Sequence, residues 1–217
     1  MKYLLFSLLT FFAGSISNFA LAPWDYIFVL LFSFPLFFFV LQDIYNEKKI
    51  KNKTLSFILF GNIFLFGYFL FGLLWISSAF DYREGFAELK FISIFGLPFL
   101  LCLITTPGWI LTAFLWGKGL HGCFALSAGI ITGEFLRSYL FSGFPWNLFG
   151  HSIGFNDFSM QVGSIFGFHL SGFFVILFSL APILFLKRST LKWGIIFSLI
   201  LPVCMMYGYF RLPSEIK

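Results

Sequence analysis

Long apolar runs dominate this sequence, and they restrict the fold more than any other feature. A helix that crosses a bilayer needs about 20 mainly apolar residues. Seven segments approach or exceed that length: Tyr3–Leu21, Ile27–Gln42, Leu55–Ile76, Phe91–Trp116, Leu120–Leu136, Val162–Leu186 and Trp193–Phe210. Only 11% of the 217 residues are charged, whereas soluble proteins carry about 25%. The sequence therefore predicts an all-α, polytopic integral membrane protein with about seven transmembrane helices, its bundle covering residues 1–210.

Prolines and glycines predict where these helices bend and where they touch. The second segment is short and contains Pro35, and the fourth is long and contains Pro98 and Pro107, so we expect tilt or a kink there. Two G-x-x-x-G pairs, which let helix backbones approach closely, predict helix contacts. These pairs are Gly129 with Gly133 and Gly163 with Gly167.

The distribution of Lys and Arg predicts the orientation of the bundle. The N-terminus and the odd-to-even connections carry the excess: Lys2, Lys48, Lys49, Lys51, Lys53, Lys118, Lys187, Arg188 and Lys192. The other side carries Arg83, Lys90, Arg137, Arg211 and Lys217. Because cytoplasmic loops carry the Lys/Arg excess, we expect a cytoplasmic N-terminus and a periplasmic C-terminus, with residues 211–217 starting a truncated periplasmic segment. The net charge of +5 then indicates contact with anionic lipid, not with nucleic acid.

Residues 1–22 also fit a secretory signal peptide. Lys2 precedes a short apolar run, and Ala20-Leu21-Ala22 matches the A-x-A pattern of a cleavage site. Pro23 directly after that site disfavours cleavage. Both interpretations leave the predicted topology unchanged.

The sequence offers no convincing catalytic or metal-binding cluster. Cys102, Cys123 and Cys204 are isolated, so we predict neither a disulfide nor a metal site, and no cofactor. Gly150–Gly154 matches G-x-S-x-G, and Asp157 and His169 follow Ser152 in the order of an α/β-hydrolase. That motif requires a strand that turns into a helix on a sheet, and no strand is predicted here. We expect the match to be a coincidence.

Glu134 and Arg137 are the unusual charges, since they lie near the end of an apolar run. Residues three apart share a helix face, so the two could form a buried ion pair that fixes helix packing. Alternatively, they could line a cavity for lipid headgroups or a peptide amine. The residues alone leave both interpretations open.

A break in the chain follows these two charges, at Gly143-Phe144-Pro145-Trp146. Pro145 lacks an amide hydrogen, and Gly143 permits unusual backbone angles. Trp146 is expected at headgroup depth, together with Trp24 and Trp75 at other predicted outer turns. The segment is either an aromatic anchor or a loop that dips into the outer leaflet under the cover of protein.

The stretch GEFLRSYLFSGFPWNLFGHS closely resembles the membrane signature of apolipoprotein N-acyltransferases. NFALAPWDY and GYFLFGLLWISSAF are similar to the first outer turn and the third span of that family, in the same order. The resemblance implies transfer of an acyl chain from a phospholipid to the N-terminal diacylglyceryl-Cys of lipoproteins, at the bacterial inner membrane. It also implies an outer nitrilase-like domain with a Glu-Lys-Cys triad, inserted after the seventh span, where this sequence stops.

The resemblance assigns no catalytic residue to this chain, because none of its cysteines lies in a nitrilase-like context. We therefore expect the membrane part of such an enzyme, inactive alone. Its partners would be phospholipids, lipid-modified apolipoproteins and a separate nitrilase-like half. Two alternatives stay open, a non-functional remnant or half of a split enzyme, and a lipid or small-molecule transporter. The candidate substrate contacts are Glu134, Arg137, Gly143, Phe144, Pro145, Trp146, Trp75 and Trp24.

Overall fold

The computed structural model describes residues 1–82 and 87–213. Within these ranges it contains α-helices joined by short 3₁₀ segments and no strand, which confirms the all-α fold. The α-helices are α1 Lys2–Ile16, α2 Leu30–Asn46, α3 Lys53–Gly72, α4 Ala87–Phe91, α5 Leu97–Leu115, α6 Leu120–Tyr139, α7 Asp157–Met160, α8 Gly163–Ser179, α9 Ala181–Phe185, α10 Leu191–Ser198 and α11 Ile200–Arg211.

Six helical stretches of the described chain are long and apolar enough to cross a bilayer. They are Lys2–Ala20, Ile27–Asn46, Lys53–Gly72, Leu89–Leu115, Gly163–Phe185 and Arg188–Arg211. The predicted fifth span forms helix α6, which has 20 residues but is not among the six. Its polar and charged side chains (His121, Glu134 and Arg137) lower its apolar content. The fold class is thus confirmed, and the count of seven stays a prediction.

The irregularities within the helices agree only partly with the sequence. A π-helical turn at Ile92–Gly96 precedes Pro98 in the predicted fourth span, where a distortion was expected. Pro35 and Pro107 lie inside α2 and α5. The predicted sixth span is interrupted at Gly167, which has a φ of +64°. That last break was not predicted, because a single glycine in an apolar run resembles any other packing position.

The first of the two predicted glycine contacts is confirmed, and the second is wrong. A Cβ atom on Gly129 would lie 1.8 Å from Thr112 Oγ1 on α5, and one on Gly133 would lie 3.0 Å from Thr105 Cβ. Helices α5 and α6 therefore pack backbone to backbone. A Cβ atom on Gly163 would meet its nearest atom only at 3.8 Å, and none lies within 4 Å at Gly167. In this second pair, Gly167 is the position where the helix breaks, and neither glycine makes a close helix contact.

Stacked aromatic rings fill the centre of the bundle. Phe64 stacks on Phe37 at 4.4 Å between ring centroids, and Phe34 lies edge-on to Phe149 at 5.1 Å. In a bilayer the lipid tails are as apolar as the side chains, so burial alone gives no hydrophobic driving force. Such ring pairs still stabilise packing by about 0.5–1.5 kcal/mol each.

The loops predicted to share a side of the membrane do share an end of the bundle. At one end, Lys2 Nζ pairs with Asp43 Oδ2 at 2.7 Å, and Lys53 Nζ donates to Ile44 O at 2.7 Å. At the other end, the rings of Trp75 and Trp146 are 6.4 Å apart. Which end faces the cytoplasm stays a prediction. Arg83 and Lys217, used in that prediction, lie outside the described residues, as do residues 214–217 of the predicted outer segment.

Candidate functional site

The chain that follows α6 makes an unusual sequence of backbone angles. Phe141, Ser142 and Gly143 have φ values of +51°, +76° and +81°, and Asn147 has one of +52°. Each non-glycine residue in this region costs on the order of 1 kcal/mol or more, so surrounding contacts must hold it. Gly143 is required for a second reason, since a Cβ atom there would lie 2.3 Å from Ser138 O. We call residues 143–147 the outer loop, after the side of the membrane that the sequence predicts for it.

Arg137 holds the outer loop through its backbone carbonyls. Its Nη1 donates to Phe144 O at 2.6 Å and to Trp146 O at 2.5 Å, and its Nη2 donates to Asn147 O at 2.7 Å. The guanidinium also lies over the ring of Phe69, 5.0 Å from its centroid. The side chain is only 1% exposed. A rigid group with five N–H donors is suited to gathering several carbonyls in this way.

Glu134 fixes the chain just beyond the outer loop. Its Oε1 accepts a hydrogen bond from Phe149 N at 2.7 Å, and the side chain is 3% exposed. Among the described residues it makes no ion pair with Arg137, so the interpretation of a direct bridge is wrong. Glu134 Oε2 and Arg137 Nε have no hydrogen-bond partner there. The two side chains act on neighbouring stretches of backbone instead of on each other.

Other helices complete this support, through residues that sequence reasoning missed. Tyr68 of α3 donates from its hydroxyl to Asn147 O at 3.2 Å, and its ring stacks on Phe149 at 4.5 Å. Asn18 Nδ2 donates to Tyr68 O at 2.7 Å. No spacing in the sequence links these positions, because they lie on separate helices and meet only in the folded bundle.

An open cleft of about 570 Å³ lies beside the outer loop. Pro145 and Trp146 form part of its wall, and Leu21 and Ala22 enter from the predicted first outer turn. His151 and His169 supply its polar side, and His169 Nε2 is 3.1 Å from Ser138 Oγ. Burial lowers the pKa of His151 below its usual value, and the positive charge of Arg137 adds to the shift.

The three predicted interface tryptophans are all exposed, and two of them meet. Trp146 lies 6.2 Å from Phe144 and 6.4 Å from Trp75, measured between ring centroids. Trp24 packs on Phe19 at 5.5 Å and lines a separate groove of about 420 Å³. The outer loop thus presents an aromatic surface beside the cleft. The assignment of the eight candidate residues as substrate contacts stays a prediction.

The hydrolase-like motif does not form a catalytic triad. Ser152 is fully buried in a 3₁₀ segment, and its Oγ donates to Phe149 O at 2.7 Å, while His169 contacts Ser138. Gly150 serves packing, since a Cβ atom there would lie 1.9 Å from Phe168 O. All three cysteines are free, and two are buried. Within the described part of the chain, no group of His, Cys, Asp and Glu side chains suits a metal ion.

Comparison with known proteins places these features in one family. The family model described as the apolipoprotein N-acyltransferase N-terminal domain matches residues 13–181. Proteins named apolipoprotein N-acyltransferase are similar along most of the chain. The one from Sinorhizobium fredii is 29% identical over 93% of this chain and 39% of its own length. The one from Allorhizobium ampelinum is 31% identical over 95% of this chain and 40% of its own length. This chain therefore spans about 40% of the length of these curated relatives.

Proposed function

The chain belongs to the apolipoprotein N-acyltransferase family of the bacterial inner membrane, and we propose that it forms the membrane domain that holds the substrates of acyl transfer. The substrates are a phospholipid, which donates the acyl chain, and the N-terminal diacylglyceryl-Cys of a lipoprotein, whose α-amino group accepts it. The chain's part is to admit and orient lipid at the outer end of the bundle.

The observation that carries this proposal is the braced outer loop beside the cleft. A loop that meets lipid cannot leave its backbone groups unpaired, because the bilayer offers them no hydrogen bonds. Arg137 satisfies three of its carbonyls from within the protein, so Pro145 and Trp146 stay exposed on a firmly held backbone. The cleft then offers apolar walls for acyl chains and two imidazoles for polar headgroup atoms.

A photoreactive diacylglyceryl-Cys peptide, added to the chain in proteoliposomes, tests this function. We expect cross-links to concentrate on residues 145–151 and on Phe168 and His169. Excess unlabelled lipopeptide should remove them, whereas the same peptide without lipid should not. Trp146→Ala should lower the yield severalfold, and Trp193→Ala, which alters a tryptophan outside the cleft, should not. Cross-links spread evenly over the bundle, or unchanged by the competitor, would contradict the proposal.

We also predict that this 217-residue chain does not form an acyl-enzyme by itself. A thioester requires an accessible thiolate, yet Cys102 and Cys123 are buried in the apolar bundle and Cys204 is half-buried in α11. The measurement is covalent label retained on the purified chain after incubation with phospholipid carrying a radioactive acyl chain. Label that is released by neutral hydroxylamine and lost in one Cys→Ala variant would overturn the prediction.

A further inference from the structure

A second cleft, of about 220 Å³, opens at the end of the bundle opposite the outer loop. Three separate parts of the chain form it: the last turn of α2, the connection between α5 and α6, and the connection between α9 and α10. Gln42 and Asn46 come from the first, Lys118 and Gly119 from the second, and Lys187 and Thr190 from the third. We call it the basic cleft.

Contacts between neighbouring elements define the shape of the basic cleft. Gly119 has a φ of +61°, and a Cβ atom there would lie 3.7 Å from Thr190 Cγ2, an ordinary contact distance. One turn later, a Cβ atom on Gly122 would lie 2.8 Å from the Phe38 ring, so α6 begins tightly against α2. Thr190 Oγ1 donates to Leu184 O at 2.7 Å, which ties its loop to the end of α9. The cleft is therefore built by packed elements and not by loose side chains alone.

The two lysines of the basic cleft carry positive charge without a partner in the described part of the chain. Neither Lys118 nor Lys187 has an ion pair or a side-chain hydrogen bond within residues 1–82 and 87–213. The acidic groups nearest in sequence to Gln42 and Asn46 are already engaged, since Lys2 Nζ lies 2.7 Å from Asp43 Oδ2 and 3.6 Å from Glu47 Oε2. Lys118 and Lys187 thus line one cleft together with Gln42 and Asn46. Gln42 Nε2 donates to Asn46 Oδ1 at 3.4 Å, and the remaining amide N–H groups of these two side chains can donate to an anion.

Apolar side chains lie beside these polar groups. Phe38 and Ile183 are buried at the cleft, whereas Phe39 and Leu186 line it and remain exposed on the bundle surface. A ligand that fits both parts carries a phosphate and, next to it, hydrocarbon. Basic pockets between transmembrane helices bind anionic lipid headgroups in this manner. Free phosphate would satisfy the lysines but would leave the exposed apolar rim without a partner.

We propose that the basic cleft, formed by Lys118, Lys187, Gln42 and Asn46, binds the phosphate headgroup of an anionic phospholipid. The acyl chains of that lipid would lie along Phe39 and Leu186. This site is at the opposite end from the outer loop, so its lipid is not an acyl donor at the candidate site. The inference does not depend on acyl transfer.

The test is a lipid titration of the full chain by native mass spectrometry, with phosphatidylglycerol as the probe and phosphatidylcholine as the neutral reference. Two double variants are compared. The cleft variant carries Lys118→Gln and Lys187→Gln, and the control variant carries Lys49→Gln and Lys51→Gln. The second pair removes the same charge from exposed positions outside the cleft. We expect the cleft variant to bind phosphatidylglycerol at least about fivefold more weakly than the control variant, since a general surface attraction would affect both equally.

Inorganic phosphate at millimolar concentration forms the second arm of the experiment. The proposal predicts that phosphate does not displace phosphatidylglycerol and that phosphatidylcholine binds equally to all variants. Equal loss of phosphatidylglycerol in both double variants would overturn it. Binding of phosphate with full displacement of the lipid would also overturn it and would assign the cleft to a free anion.

Discussion

At the scale of single residues, the guanidinium of Arg137 decides the shape of the outer loop. Three carbonyls converge on it from residues 144, 146 and 147, within a stretch that contains positive φ angles. A lysine at this position could reach one or two of these acceptors, but its ammonium lacks the planar fork of donors. The loop geometry therefore depends on this side chain's shape as well as on its charge.

Arg137→Met is expected to destabilise the protein by about 3 kcal/mol or more, because it leaves three carbonyls without their charged donor. Arg137→Lys should recover part of that loss. The measurement is the free energy of unfolding in mixed micelles titrated with sodium dodecyl sulfate. Arg188→Met, an exposed position at the other end, serves as the control and should change it by less than about 0.5 kcal/mol. Equal stability of all three variants would contradict the bracing role.

Glu134 gives a different prediction, because only one of its oxygens has a partner among the described residues. Glu134→Gln keeps an oxygen for Phe149 N and removes a buried charge, so stability should change by less than about 1.5 kcal/mol. Glu134→Ala leaves the buried Phe149 N–H unpaired and should cost about 1–3 kcal/mol, plus the cost of a cavity. The same titration measures both. A Gln variant as unstable as the Ala variant would show that the charge itself is required.

At the scale of helices, contact between α5 and α6 depends on glycines that leave no space for a side chain. The carbonyl of Gly108 lies 2.5 Å from the place where a Cβ atom on Gly129 would be, and Thr112 Oγ1 is nearer still. Neither atom belongs to a long flexible side chain, so the helices themselves would have to separate. Because α6 carries both Glu134 and Arg137, a shift of this helix also moves the support of the outer loop.

Gly129→Ala should destabilise the protein by about 1–3 kcal/mol or more through overpacking, because its Cβ atom would lie 1.8 Å from Thr112 Oγ1. Gly163→Ala is the matched control from the other G-x-x-x-G pair, where a Cβ atom meets nothing closer than 3.8 Å, and it should be tolerated. The midpoint of thermal unfolding and the elution profile in detergent measure the difference. If Gly163→Ala proves the more harmful change, the assignment of contact and break to the two pairs is wrong.

At the scale of the whole molecule, the two ends of the bundle differ in charge. Lys2, Lys53, Lys118 and Lys187 gather at one end, and the tryptophans of the outer loop region gather at the other. The excess of Lys and Arg predicts that the first end is cytoplasmic. This arrangement would place the outer loop and the 570 Å³ cleft beside it on the periplasmic side.

Labelling of single introduced cysteines in intact spheroplasts checks that orientation. Asp157→Cys should react with a membrane-impermeant maleimide, whereas Lys49→Cys should react only after the cells are opened. Asp157 is the exposed first residue of the short helix α7, and Lys49 is exposed in the connection between α2 and α3. The unmodified chain controls for its three native cysteines. The reverse pattern of labelling would show that the bundle is inverted.

The sequence alone determined the class of fold, the approximate position of most helices and the family. Continuous apolar runs admit few structures in a bilayer, and the E-F-x-R and G-F-P-W pieces are too specific to arise often. The tertiary structure decided what Glu134 and Arg137 do, since their partners are backbone atoms 7 to 15 residues away. It also decided which glycine pair packs, which tryptophans meet, and that the end of α2 and two distant connections form a basic cleft. Side chains that lie far apart in the chain meet according to helix packing, and packing depends on shape in three dimensions, which a linear pattern does not contain.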